Sequence, residues 1–109
     1  MLKLINSQRF VFLTSISLLE VARKEAKGEL LFRMALEDWF RIALPENRVR
    51  VLDLTPDVST DSTRLPDWEH KDPGDRIVVA TARVHGLTVL TSDRKILQCR
   101  HVRSLALRR

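Results

Sequence analysis

The segment from residue 72 to residue 97, DPGDRIVVATARVHGLTVLTSDRKIL, constrains the fold more than any other part of the chain. It begins with Asp72, a favourable N-cap residue, and continues with Pro73, which suits the first position of a helix. Gly86 stands where a left-handed C-terminal cap is expected. The pattern therefore predicts a helix from about Pro73 to His85.

A short strand and an acidic loop follow this helix. The apolar residues 87–90 predict a buried strand, and residues 91–93 form a loop at its carboxyl end, the edge at which ligands of open α/β sheets bind. Asp75 lies in the first turn of the predicted helix, and Asp93 closes the loop. One carboxylate at a helix start and another just beyond a strand suggest a metal site.

The rest of the chain alternates predicted strands and helices. Ser17-Leu18-Leu19-Glu20 has the form of a capping box and predicts a helix that reaches Lys27, before Gly28. Strands joined by helices favour an α/β fold whose sheet is mostly parallel with helices on both faces. The other predicted elements are a strand at 10–15, a helix at 30–44 stopped by Pro45, an edge strand at 49–54, an uncertain segment at 57–64 and a last strand at 101–105.

Length and composition limit the class of protein. A chain of 109 residues with 44% hydrophobic residues predicts a single domain, residues 1–109. Charged residues interrupt its apolar runs well before the roughly 18 residues that a membrane span needs, and its first residues do not form a signal-peptide pattern. We therefore expect a cytoplasmic protein without membrane contact. Cys99 is the single cysteine, which excludes an internal disulfide.

The charge of the chain favours an anionic partner. Lys and Arg number 19 against 14 for Asp and Glu, which gives a formal net charge of +5. No acidic residue follows Asp93, so residues 94–109 form a basic arm. Such an arm is consistent with contact to nucleic-acid phosphates and equally with a solvated tail, because charge alone is a weak signal.

Three stretches of the chain resemble one family. They are SISLLEVARKEAKGEL at residues 15–30, DPGDRIVVATARVHGL at residues 72–87 and TSDRKIL at residues 91–97. In their order and spacing they resemble the PIN domain, in particular the VapC-like toxins of bacterial toxin–antitoxin pairs. The resemblance extends over nearly the whole chain from Phe10 onward, and it implies a three-layer α/β fold with a mostly parallel central sheet.

The same resemblance implies a small metal-dependent endoribonuclease. The acidic positions of the family fall on Glu20, Asp75 and Asp93, which would hold Mg²⁺ or Mn²⁺. Hard divalent cations take oxygen ligands, and Mg²⁺ keeps several waters. A metal-activated water would attack the RNA phosphorus while the ion neutralises developing charge. The implied partners are an RNA substrate, a cognate antitoxin protein and, for the full-length protein, a second copy in a homodimer.

Each of these acidic residues also has a purely structural explanation. Glu20 stands three residues after Ser17 and could be the returning half of the capping box. Asp75 is in a first helical turn, where the helix dipole favours negative charge. Asp93 could cap the short turn RKIL. The family resemblance favours the metal role for all three.

The start of the chain departs from the family pattern. PIN toxins begin with a strand similar to LLDTNVLL, whose Asp is a metal ligand at the centre of the sheet, whereas Met1–Gln8 resembles the end of the helical segment that follows it. Roughly 25 to 30 residues, the length of one strand–helix unit, are therefore expected to be missing. Their loss would leave a gap in the sheet with unpaired backbone groups.

Two functions follow from this departure. The first is a VapC-like endoribonuclease whose cleavage is impaired because the strand with the first catalytic Asp is absent. The second is a non-catalytic truncated PIN protein that still binds an antitoxin through its groove. A receiver-like domain, the third possibility, lacks support because the chain has no acidic pair after a first strand.

Overall fold

Strands and helices alternate along most of the chain. The computed structural model describes residues 4–6, 11–66 and 72–106, and within these ranges it contains the following elements. In chain order they are β1 (Leu4–Asn6), β2 (Val11–Thr14), α1 (Ser15–Ala26), α2 (Leu36–Glu46), β3 (Val49–Leu52), α3 (Pro56–Ser62), α4 (Pro73–His85), β4 (Thr88–Thr91), α5 (Arg94–Leu97) and β5 (Ser104–Ala106).

The described strands form one sheet in the order β3-β2-β1-β4-β5. β2 pairs in parallel with β3, and β4 pairs in parallel with β5. β1 lies between β2 and β4 and is antiparallel to both. Every strand except β1 therefore runs in one direction, which confirms the α/β fold with a mostly parallel sheet. The predicted edge strand, β3, lies at the edge of this sheet.

The centre of the sheet differs from the expectation. Leu4–Asn6 is a strand, so the comparison of Met1–Gln8 with a helical segment is wrong for residues 4–6. Residues 1–3, 7 and 8 lie outside the described part of the chain. Ile5 pairs with Phe12 on one side and with Val89 on the other. Backbone groups buried inside a sheet need hydrogen-bond partners, and β1 supplies them. The expected gap between β2 and β4 is therefore closed.

The helix α4 has the bounds that its local signals predict. The side chain of Asp72 accepts a hydrogen bond of 2.9 Å from the backbone N–H of Gly74, and Pro73 occupies the first helical turn. Gly86 ends the helix in the left-handed conformation, with φ of 66°. The strand β4 that follows begins one residue later than predicted, at Thr88.

The start of α1 corrects the capping-box prediction. The N-cap is Thr14, and Ser17 lies inside the helix, 2% exposed, with its hydroxyl oxygen 3.2 Å from that of Thr14. Glu20 is therefore in the second turn of α1 and is not the returning half of a capping box. The helix ends at Ala26, one residue before the predicted end, and Gly28 follows with a positive φ of 76°.

The middle of the chain also differs from its predicted bounds. α2 begins at Leu36 and not at residue 30, and Pro45 lies within its last turn and not beyond it. The uncertain segment contains α3, whose N-cap is Thr55; the Thr55 hydroxyl accepts a hydrogen bond of 3.2 Å from the N–H of Val58. The last described strand, β5, begins three residues later than predicted, at Ser104.

The hydrophobic core lies between α4 and the sheet. Its buried cluster consists of Val78, Val79, Ala82, Val89 and Ile96, which come from α4, β4 and α5. α3 packs along α4 on another side. α4 is thus held along its length, and its first turn has a fixed position. In the described part of the chain, no helix is both long and apolar enough to cross a membrane.

Candidate functional site

Two of the three predicted site residues line one cavity between α1 and α4. This cavity, which we call the α1–α4 cavity, has a volume of about 310 Å³. Glu20 reaches it from the second turn of α1, and Asp75 from the first turn of α4. It is lined by Glu20, Arg23, Lys24, Lys27, Glu29, Asp72 and Asp75. The structure therefore brings Glu20 and Asp75 together although 54 positions separate them in the sequence.

A close approach between the two helices explains how Glu20 reaches α4. A Cβ atom at position 74 would lie only 2.4 Å from Oε1 of Glu20, a distance that real Cβ atoms do not tolerate. Gly74 thus leaves the space that the Glu20 carboxylate occupies. The sequence gives no local sign of this role, because it depends on how α1 packs against α4.

Asp75 is the most buried of the predicted site residues. It is 4% exposed, which is unusual for a carboxylate. Its position in the first turn of α4 stabilises its negative charge through the helix dipole and the unpaired N–H groups of that turn. The same position directs it to the α1–α4 cavity, so the structural and the functional explanations of Asp75 are compatible.

Asp93 lies just beyond the carboxyl end of β4, as predicted. Its side chain accepts a hydrogen bond of 2.8 Å from the N–H of Lys95 and caps α5. Its own N–H donates to the hydroxyl of Thr91 at 3.0 Å, which fixes the loop. The capping explanation of Asp93 is therefore confirmed. Asp93 is not among the residues that line the α1–α4 cavity.

The acidic groups do not make a complete three-ligand metal site by themselves. Among residues 4–6, 11–66 and 72–106, no set of three His, Cys, Asp or Glu side chains is arranged to hold an ion. Glu20 and Asp75 provide two oxygen donors at one cavity, and a hydrated Mg²⁺ accepts one or two protein carboxylates. A single ion shared by Glu20, Asp75 and Asp93 stays a prediction.

Basic side chains of α1 and of Lys27, the residue that caps its end, share the cavity and were missed in the sequence; we call them the cations of α1. Lys24 and Lys27 follow Glu20 by four and seven positions, the spacing that places side chains on one face of a helix. Arg23, three positions after Glu20, lines the same cavity. Helical spacing from Glu20 would have indicated all of them. The cavity therefore combines carboxylates with cations.

The fold is that of a known class of α/β domain. Residues 1–101 match the PIN domain family, and the chain belongs to that family. Within the family it is VapC-like. It is 33% identical over 89 residues to Ribonuclease VapC22 of Mycobacterium tuberculosis, an alignment that covers 82% of this chain and 67% of that protein.

Proposed function

We propose that the chain is a metal-dependent endoribonuclease of the VapC toxin type, which cleaves RNA phosphodiester bonds. The observation that supports this most is the α1–α4 cavity, where the carboxylates of Glu20 and Asp75 lie beside the cations of α1. A relative named as a ribonuclease adds support for RNA as the substrate. The proposed cofactor is Mg²⁺ or Mn²⁺.

The two carboxylates have the role of ion ligands in this proposal. Glu20 and Asp75 would hold the cation, and Asp93 would orient water from the end of β4. A bound Mg²⁺ supplies charge neutralisation at the phosphoryl oxygens and an activated water. Burial of Asp75, at 4% exposed, keeps its carboxylate in place and strengthens its attraction for a cation, because water screens it less.

The cations of α1 have a different role. Arg23, Lys24 and Lys27 would contact the phosphates next to the one that is cleaved, since a nucleic acid carries a negative charge at every nucleotide. Such contacts position the strand but do not read its sequence. Their loss should weaken RNA binding with little effect on the chemical step.

The first test compares variants of the two carboxylates. Asp75→Asn and Glu20→Gln keep the shape of each side chain but remove its charge, so we expect each to lower Mg²⁺-dependent cleavage of RNA by roughly 100-fold or more under single-turnover conditions. Glu46→Gln, at an exposed residue outside the cavity, is the matched control and should cleave like the parent. Cleavage that persists after chelation of divalent ions would contradict the proposal.

The second test addresses the cations. The double variant Lys24→Gln, Lys27→Gln should have a higher KM and a nearly unchanged kcat. The slope of log KM against log salt concentration should fall by roughly the contribution of two phosphate contacts. Arg33→Gln with Arg64→Gln, at two exposed residues outside the cavity, removes the same two charges and controls for net charge. Equal effects of the control and the cavity variants would mean that these lysines act only through the overall charge.

One observation favours a second function. Because the described residues contain no three-ligand group, we expect weak cleavage by the 109-residue chain, and a non-catalytic protein that binds a cognate antitoxin is the alternative. Pull-down of the co-expressed antitoxin, together with absence of cleavage under every metal condition, would favour this alternative. We also propose a cytoplasmic location and, for the full-length protein, a homodimer; cell fractionation would test the location and sedimentation the dimer.

A further inference from the structure

A second cavity lies at the other end of α4. It has a volume of about 390 Å³ and is surrounded by the end of α4, the residue that leads into β4, and the loop before β5. We call it the basic cavity. Its lining is Ala82, Arg83, Gly86, Leu87, Arg100, His101, Val102 and Arg103. None of these described lining residues is acidic and three are arginines, so together they make the cavity cationic.

Arg83 lines this cavity, and an ion pair holds its guanidinium. Its Nε atom lies 3.1 Å from Oδ2 of Asp61 on α3, which holds the side chain in place. Its Nη1 atom is buried and, within the described part of the chain, has no hydrogen-bond partner. Oδ2 of Asp61 is likewise buried without a hydrogen-bond partner, so both atoms belong to the ion pair between α3 and α4. Arg83 therefore contributes to the cavity mainly through its fixed positive charge.

Arg103 is held against the end of α4. Its Nη2 atom donates a hydrogen bond to the carbonyl oxygen of Gly86, the residue that ends α4. A guanidinium carries five N–H groups in one plane, so this bond leaves donors for a ligand. Arg100 adds a third guanidinium to the lining from an exposed position. Several guanidinium groups around one space favour a ligand with several acceptor oxygens.

We propose that the basic cavity binds the terminal phosphate of a nucleotide, either free or at the end of a nucleic-acid strand. The three arginines carry three positive charges, and Asp61 neutralises one of them through its ion pair with Arg83. The remaining charge of about +2 matches the charge of about −1.5 to −2 of a phosphate monoester at neutral pH. A phosphodiester or a carboxylate carries only one. The cavity volume of about 390 Å³ falls in the range of small-molecule sites, roughly 300 to 1,000 Å³.

The cavity also has a surface for the nucleoside. Leu87 and Val102, both half-buried, contribute apolar walls beside the arginines. The phosphate would therefore contact the guanidinium groups while the sugar and base lie against these side chains. This mixture of apolar walls and a few polar groups is typical of small-molecule sites.

This site is separate from the α1–α4 cavity. Asp75 is in the first turn of α4 and Gly86 ends the helix, so about 17 Å of helix lies between them at 1.5 Å per residue. In the described part of the chain, the two cavities have no lining residue in common. Nucleotide binding at the basic cavity can therefore be tested whether or not the chain cleaves RNA.

Calorimetric titration of the 109-residue chain tests the proposal. We expect adenosine 5′-monophosphate to bind at one site and adenosine to bind at least tenfold more weakly, because adenosine lacks the phosphate. Arg100→Gln should weaken nucleotide binding about tenfold, the usual effect of one charge-assisted hydrogen bond. Arg33→Gln removes the same charge from an exposed position outside the cavity and should have no effect.

Two further ligands identify the source of the phosphate. A short RNA with a 5′-phosphate that binds more tightly than the same RNA without it would indicate a strand end, and preference for the mononucleotide would indicate a free nucleotide. Glu46→Gln, at an exposed residue outside both cavities, should leave both affinities unchanged. Three results would overturn the proposal. They are equal binding of adenosine and its monophosphate, equal effects of Arg100→Gln and Arg33→Gln, and binding of an acidic peptide in place of the nucleotide.

Discussion

Replacing Gly74 with alanine should separate the stability of the fold from the position of the Glu20 carboxylate. The added Cβ would lie 2.4 Å from Oε1 of Glu20, and ordinary contact begins at 3.4 Å, so the carboxylate must retreat by about 1 Å. The obstacle is the end of a flexible side chain and not backbone, so the retreat itself is inexpensive. The backbone of α4 can therefore stay in place.

The two effects of Gly74→Ala have different magnitudes. In a helix, alanine is favoured over glycine by roughly 0.5–1 kcal/mol, which should offset the rearrangement of Glu20. We expect the free energy of unfolding, measured with urea, to be unchanged or raised by up to about 1 kcal/mol. A catalytic group displaced by about 1 Å can lose roughly 100-fold in rate. Metal-dependent RNA cleavage should therefore fall 10- to 100-fold.

A double-mutant cycle gives the control for this prediction. In a Glu20→Ala background the obstacle is absent, so Gly74→Ala should raise stability by the full roughly 0.5–1 kcal/mol and cause no further loss of cleavage. If Gly74→Ala leaves cleavage intact in the chain that keeps Glu20, the reasoning is refuted. A loss of stability of several kcal/mol would refute it too, because it would mean that α4 cannot accept a Cβ at this point.

Three other substitutions and one exposed control test the fold, each by urea denaturation. Ile96→Ala removes a fully buried side chain of the core and should cost about 2–5 kcal/mol, whereas Ile42→Ala, at a residue 48% exposed, should cost less than about 1 kcal/mol. Gly86→Ala forces alanine to adopt a φ of 66° and should cost about 1–2 kcal/mol, with no steric clash because the nearest atom is 4.0 Å away. Thr55→Ala removes the hydroxyl that caps α3 through the N–H of Val58 and should cost about 1 kcal/mol.

The helix α4 could be predicted from the sequence because its signals are local. Asp72, Pro73 and Gly86 act through their own backbone preferences, and the structure has the helix between them. The apolar face of α4 then packs into the core through Val78 and Val79. Local capping and packing agree in this segment, so sequence reasoning was sufficient.

Elsewhere the local signals were misleading. Ser17 and Glu20 have capping-box spacing, yet Thr14 begins the helix because α1 follows β2 without a loop. Leu31 has helical spacing but lies before α2 and is 91% exposed. Pro45 was expected to stop the helix, but it is tolerated in the last turn, one residue before the helix ends.

The candidate site was predictable only in part. The family resemblance identified Glu20 and Asp75, and the structure places both at one cavity. Lys24 and Lys27 could have been found from their helical spacing to Glu20. The role of Gly74 could not, because it follows from the distance between two helices that are far apart in the sequence.

The central position of β1 has a consequence for the order of folding. Among the described strands, β1 alone joins the β2–β3 pair to the β4–β5 pair. Its contact with β2 is local, but its contact with β4 pairs Leu4 with Leu90, across most of the chain. Closing so long a loop is entropically costly and slow. We therefore expect the two strand pairs to form before they are joined, and the backbone amides of residues 4–6 to gain protection from hydrogen exchange only when the whole sheet is complete.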